Sequence, residues 1–436
     1  MNALGIDIGS TSIKGAVLEL ESGRIGKIVS RPFPAPIAGL PPGWFEVSPW
    51  EVHATTRQVI SELLQEEPHP RGVFVSGQMG GVVLVDAKCE PVSNYLSWRD
   101  QRTLETHVEF GKSYLEEVRH RWSEGELDFL GNELQPGSSP VLLFWLRLNG
   151  KLPQGVFPVS IADFALCRRH DPWLHATQAI GQLDLTTKKY HRSAFAKLGL
   201  GHIHLPHLEN KVGPTVAPDF GTGYICVWGA YGDQQCALLG AGLQRGELSI
   251  NISTGSQVSM RTEQFTPGPY QTRMFFEGDY LNTITHLPAG RSLNVLVDLL
   301  TELARAEGIN LRDPWGELIR RASAVEKTDL TANLAFFAGP LGSSGAIQGI
   351  TTENLSAGNL FHAAFRQMAD TYAEMAKRLD PEQKATAVVI SGGLTKSAPI
   401  LRRMIEERFS IPIREASEEE TLLGLLQLAR TALKTQ

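Results

Sequence analysis

The chain has 436 residues, more than one hydrophobic core serves, and this length suits two domains of roughly 200 residues each. Hydrophobic residues make up 42% and charged residues 20%, as in an ordinary globular protein, and the net charge of −6 argues against a broad nucleic-acid or anionic-membrane surface. Four scattered cysteines without a CxxC pair read as reduced thiols; no leader pattern opens the chain and no apolar run approaches the roughly 20 residues of a membrane span, so a cytoplasmic protein is expected.

The first element is the most informative. Residues 4–20 read as a hairpin: Ile6 and Ile8 flank Asp7, a small turn follows at Gly9, Ser10, Thr11 and Ser12, and a second strand runs from Ile13 past Lys14 to Leu20. Residues 26–31 continue it. A helix over Pro49–Leu64 opens on Ser48 as N-cap. Buried strands are expected over 72–76 and 82–85, and helices over 140–148 and from Ser160 onward, the latter carrying Asp163. The Gly-, Pro- and His-rich stretch 199–223 reads as the inter-domain region. The domains are therefore expected at 1–223 and 224–436.

From Tyr224 the pattern restarts with a strand over 224–230 and a helix over 233–242. Then the opening motif returns: Ile250 and Ile252 flank Asn251, and a Gly/Ser/Thr turn follows before a second strand over 258–261. Two hairpins with small, hydroxyl-rich turns, one per half, suggest a duplicated fold gripping an anion, because such turns admit phosphate oxygens to backbone N–H groups. Helices are expected over 291–307, 356–379, 398–409 and 418–433, with Gly424 permitting close packing in the last, and a strand over 387–391. Hairpins and βα units together predict mixed sheets. Gly111, Lys112 and Ser113 mimic the end of a P-loop, but Thr106 stands where its first glycine belongs.

Asp7 leaves a strand beside a phosphate-type turn, where a carboxylate can hold a divalent cation. Asp233 follows the turn at Gly232 and reads as the cap of a helix, whose dipole and free N–H groups would keep it ionised at neutral pH. Trp98 can pack in the core or offer an apolar face, while Asp100 and Arg102 can bind polar groups or form an ion pair with each other.

Taken in order, five segments resemble the FGGY carbohydrate kinases of the actin/Hsp70/hexokinase-like ATPase fold: Gly5–Lys14, Ser76–Gly81, Trp98–Arg102, Gly232–Gly242 with Asn251–Gln257, and Ser391–Lys396. The resemblance implies an α/β fold of two duplicated ribonuclease H-like domains around a central cleft, with mixed sheets flanked by helices. It implies ATP and Mg2+ as cofactors, with Asp7 and Asp233 at the metal. Nucleotide contacts fall to Asp7, Gly9, Ser10, Thr11, Ser12 and Lys14 in the first half. In the second they fall to Thr254, Gly255, Ser256, Gly339, Gly392, Gly393 and Lys396. Asp233 becomes the catalytic base, and Gln78, Met79, Trp98, Asp100, Arg102, Asp233 and Gln234 face the substrate. Two segments depart from the family pattern. Gly80 stands where the family has a histidine, which removes a donor and gives the pocket room, and Gln178 and Ile180 replace residues of a Thr-Asp-x-Ser segment.

The resemblance implies phosphorylation of a primary hydroxyl of a small sugar, with the wording around Asn251 and Asp233 nearest the sedoheptulokinase and xylulokinase side. A polyol or glycerol-type kinase and a non-catalytic nucleotide-binding scaffold stay open as alternatives. The only partner expected is the sugar, without nucleic acid or membrane, and a homodimer is left open.

Overall fold

The computed structural model of the chain describes residues 1–166, 172–209, 215–216 and 225–434, so Cys167 and the boundary expected at 223/224 lie outside the described residues. Two compact units are present. Unit 1 comprises Met1–Gly242, Glu263–Leu281 and Glu418–Gln436, and unit 2 comprises Leu243–Thr262 and Asn282–Ser417.

In unit 1 the opening hairpin consists of strands Asn2–Ile8 and Ser12–Glu19, antiparallel, with Asp7 opposite Lys14. It lies in a six-stranded sheet ordered 215–216, 226–232, 73–77, 2–8, 12–19, 24–32. The strands 226–232, 73–77 and 2–8 run parallel while the others pair antiparallel, so the sheet is mixed as expected. Strand Val73–Gly77 is buried at every position, as a central parallel strand must be when both faces are covered.

Helix Pro49–Glu66 packs on this sheet. Its Ser48 Oγ accepts the Glu51 N–H at 3.4 Å and Pro49 occupies the first turn. Val52, Thr56, Val59, Ile60 and Leu63, three or four positions apart, form its buried face, and each large apolar side chain among them contributes roughly 1.5–3 kcal/mol by leaving water. The last helix, Glu420–Lys434, packs on helix Asp233–Gly240. The close approach expected at Gly424 is there: a Cβ would stand 2.0 Å from the Cys236 carbonyl oxygen. The P-loop mimic takes an ordinary role. Lys112–Ser113 makes a two-residue strand with Thr106–His107, and Ser113 caps helix Tyr114–Arg121 in a reciprocal pair with Glu116.

Unit 2 is built on the second hairpin, Leu248–Ile252 with Ser256–Thr262, in which Asn251 stands opposite Gln257. Parallel strands Val388–Ser391 and Ile413–Glu415 extend the sheet. Helices Gly290–Ala306, Ala357–Leu379 and Pro399–Glu406 match the expected spans closely, the last ending three residues early.

The duplication reaches further than the sequence motif. In unit 1, Asp7 is level with Ser76 on the parallel neighbour and its Oδ1 accepts the Ser76 hydroxyl at 2.9 Å. In unit 2, Asn251 is level with Ser391 and its Nδ2 donates to the Ser391 hydroxyl at 2.7 Å. No helix among the described residues is long and apolar enough to cross a membrane.

Candidate active site

Asp7 and Asp233 stand at the C-terminal ends of two parallel strands of unit 1, on either side of strand 73–77. Ser76 on that middle strand is level with both Asp7 and Tyr231. Two strand spacings separate the two aspartates' strands, about 10 Å. Burial drives both acids upward. Asp7 reaches about 6, against the lowering effect of the Ser76 hydroxyl and the Lys14 charge. Asp233 reaches about 7 through its own burial and the neighbouring charge of Asp7, with the Gln234 N–H and Arg273 pulling the other way.

This corrects the expectation for Asp233. Gly232 is the helix cap and Asp233 the first helical residue, its Oδ1 accepting the Gln234 N–H at 2.8 Å. One N–H and the helix dipole do not outweigh lost hydration plus a second buried carboxylate, so the group sits near neutrality instead of far below it.

The first turn presents small groups as expected. Gly9 N–H donates to the Ser12 carbonyl at 3.0 Å, Thr11 is exposed and Ser10 half-buried. Lys14 is not a solitary cation, because its Nζ donates to Glu419 Oε2 at 2.7 Å. In unit 2, Thr254 and Gly255 are exposed, whereas the Ser256 hydroxyl turns inward to donate to the Pro288 carbonyl at 3.0 Å. Helix 290–306 starts beside this turn, with Gly290 and Arg291 N–H groups donating to the Ser253 and Thr254 carbonyls. Gly392 caps the short helix Gly393–Ser397, which carries an exposed Lys396, and Gly339 closes a tight turn with Gly342.

The residues expected to face substrate divide into two sets. Trp98 is 39% exposed and keeps an open indole face, Met79 is half-buried, and Gln234 lies beside Asp233. Gln78 is instead occupied structurally: its Nε2 donates to the Gly9 carbonyl at 3.3 Å and its Oε1 accepts the Tyr95 hydroxyl at 3.2 Å. Asp100 and Arg102 form the ion pair that the sequence left as an alternative. Asp100 accepts Arg102 Nε and Nη2 at 2.9 and 2.8 Å and the Phe45 N–H at 2.6 Å. Arg102 also reaches Glu46 at 2.7 Å and lies 3.9 Å over the Trp44 ring, with side-chain exposure of 1%. The φ of Gly80, +76°, suits glycine, and a Cβ there would lie 3.1 Å from the Trp98 Cβ, so a side chain at this position would press on Trp98.

Sequence reasoning missed the residues that hold the Asp233 turn. The 3-10 turn Ala176–Gln178 binds it from one side: Thr177 Oγ1 accepts the Gly232 N–H at 2.9 Å and pairs with His175 Nδ1 at 2.8 Å. Gln178 Nε2 donates to both the Gly77 and Tyr231 carbonyls, at 3.0 and 2.8 Å. Of these, Gln178 was noted earlier only as a departure from the family pattern, and Thr177 and His175 were not singled out. From the other side Arg273 donates to Gln234 and to Glu133. Arg273 sits in the short strand Gln271–Met274, where no local pattern sets it apart. His175, enclosed by Tyr231 and Phe276, is held by burial at about 4 and is neutral at pH 7.

Comparison with known proteins identifies the N-terminal domain of the FGGY family of carbohydrate kinases over residues 2–153. The chain is 24% identical over 290 residues to a glycerol kinase of Petrotoga mobilis, a match covering 59% of this chain and 54% of that protein. It thus spans about half the length of that relative. It is 23% identical over 475 residues to the sedoheptulokinase of Mus musculus, covering 97% of this chain and 95% of the other. Among solved structures, a xylulose kinase from Rhodospirillum rubrum has a TM-score of 0.86 at 19% identity, covering all of this chain and 90% of that one. A Plasmodium falciparum glycerol kinase with ADP has a TM-score of 0.83 at 17% identity, again covering all of this chain and 90% of that one. The expected α/β fold with mixed sheets flanked by helices is therefore the fold of the chain.

Proposed function

Because the chain belongs to the FGGY carbohydrate kinases through its N-terminal domain, residues 2–153, we propose that it transfers the terminal phosphoryl group of ATP to a primary hydroxyl of a small sugar. A heptulose or pentulose is preferred, with a glycerol-type polyol as the second choice. The observation that carries this reading is the pair of half-buried carboxylates Asp7 and Asp233 at the ends of two parallel strands flanking strand 73–77, beside a small-residue turn.

In the proposed reaction the acceptor oxygen attacks the γ-phosphorus, the bond from that phosphorus to the β,γ-bridging oxygen breaks, and ADP leaves. Asp233 takes the hydroxyl proton; a carboxylate near neutrality is matched to that task at pH 7. The Gly9–Ser12 turn offers N–H and hydroxyl donors to the phosphates, and Thr254 and Gly255 are assigned the same role in unit 2. Lys14 would exchange its Glu419 contact for phosphate.

The acidic pair also suits Mg2+. Asp7 Oδ1 is taken by Ser76 while Oδ2 accepts no hydrogen bond among the described residues, and hard oxygen donors of this kind bind Mg2+ through one or two carboxylates. When bound, the ion would neutralise charge developing on the phosphate oxygens. Thr177 and Gln178 hold the backbone that aims Asp233, and Trp98 is assigned to the sugar's apolar face.

The test is ADP release with Mg-ATP across pentuloses, heptuloses, hexuloses, pentitols and glycerol. One acceptor should stimulate wild type strongly, and Asp233→Ala should lower kcat for it by about 10²–10⁴. A flat panel, or normal turnover in the variant, would overturn the proposal.

A further inference from the structure

Arg273 lies in a segment, 263–281, that leaves the second-half sequence yet belongs to unit 1. Its backbone is pinned on both sides. Thr272 N–H donates to the Gly131 carbonyl at 2.9 Å, and the Met274 carbonyl accepts Gln235 Nε2 at 3.0 Å. The guanidinium is also held. Nε donates to Glu133 Oε1, and Nη1 donates to Gln234 Oε1, next to Asp233. The side chain is 10% exposed and that of Glu133 2%.

A guanidinium carries five N–H donors in a planar fork. Beyond these two bonds, neither N–H on Nη2 has an acceptor among the described residues. Nη2 is not sealed from solvent, so its donors are open to water or to a ligand. The structure offers that edge beside the residue that follows the proposed base.

We infer that Arg273 is a specificity-determining residue that donates from Nη2 to acceptor hydroxyls remote from the reacting one, and that Glu133 tunes it for neutral polyhydroxy ligands. The choice of ligand class rests on the sugar-kinase reading. Glu133 is the nearer half of the argument. With its carboxylate on Nε the pair has no net charge, so a sugar acid meets no uncompensated cation, while a neutral hydroxyl oxygen still meets a fixed donor. Gln234 is oriented through its Oε1 by the same guanidinium.

The experiment is calorimetric titration of the full chain with D-xylulose, sedoheptulose, D-gluconate and Mg-ATP, each separately, for wild type and three variants. Arg273→Met should weaken the better-bound ketose by about 10–100-fold, because a site built to hydrogen-bond a hydroxyl loses that much when the donor is removed. Mg-ATP affinity should stay within experimental error and so show the variant folded, while the melting temperature should fall because Glu133, 2% exposed, loses its partner. Arg273→Lys should not restore binding, since a point charge cannot reproduce the held fork. Glu133→Gln should bind D-gluconate at least ~10-fold more tightly than wild type does, because the arginine's charge is then uncompensated. Unchanged ketose affinity in Arg273→Met would overturn the assignment. So would equal losses for ketose and Mg-ATP, or wild type binding none of the sugars. Sugar binding without sugar-stimulated ADP release would remove the kinase reading and leave the Arg273 assignment standing.

Discussion

At the scale of single residues, burial sets the chemistry more than sequence neighbours do. His175 is the clearest titrating case apart from the two aspartates. Its ordinary pKa is near 6.5 and the fold holds it at about 4 by burial, so between those values the unfolded chain binds a proton that the folded chain refuses. The stability contributed by neutral His175 is therefore present above pH 6.5 and is lost as pH falls toward 4. Asp7 and Asp233, pushed up, carry the opposite sign and are common to wild type and a His175 variant. Between pH 7.5 and 5, His175→Gln should gain about 2 kcal/mol relative to wild type in urea unfolding. An unchanged difference between the two proteins across that range would show that His175 is not a buried neutral base. The identities of Asp7 and Asp233 were legible in the sequence because each sits in a local pattern, an apolar strand running into a small-residue turn. The ionisation of Asp233 was not, because it depends first on its burial in the folded unit and then on Asp7, far away in sequence.

At the scale of elements, the Asp233 turn is held by a 3-10 turn that no local motif announces. Thr177 is 55 positions from Gly232, and Gln178 ties two parallel strands together at their ends. These bonds exist only once the sheet order brings strands 73–77 and 226–232 side by side, so helical or strand periodicity could not reveal them. Thr177→Val strands the buried Gly232 N–H and should cost about 1–3 kcal/mol of stability. It should also lower kcat for the accepted sugar more than it raises the KM for ATP, and Thr177→Ser should recover both. A kcat untouched by Thr177→Val would mean that the turn holds without it. The elements that were legible, helix 49–66 with its Ser48 cap and the two hairpins, have their determinants within one or two turns of chain. Asp100 and Arg102 show the reverse difficulty: the motif was visible, but the Trp44 ring and Glu46 that enclose it are more than 50 positions away.

At the scale of the whole molecule, the repeat seen in the two opening motifs reflects the same three-strand arrangement in both units. A hairpin pairs with a parallel strand, and a serine on that strand meets the hairpin's polar residue. One unit carries an acid there and the other an amide, which fits an assignment of chemistry to unit 1 and of a neutral phosphate turn to unit 2. Unit 1 also includes the last helix, packed against the helix that begins at Asp233. Gly424→Val would drive a side chain into the Cys236 carbonyl and should destabilise the protein by about 1–3 kcal/mol or more, read as a lowered unfolding midpoint.

That same arrangement bears on how the protein is made. Lys14 and Glu419 are 405 positions apart, and the strand carrying Asp7 leaves the ribosome long before the helix that covers Asp233's helix has been translated. At synthesis rates of about 5–20 residues per second the wait is roughly 20–80 seconds. Once residues 233–240 are made, the nascent first unit carries an uncovered apolar helix face for the remaining stretch, roughly 9–36 seconds. Ribosome-bound chains halted before Glu418 should therefore be cut by protease within residues 233–240 and engage chaperones, and released full-length chains should do neither.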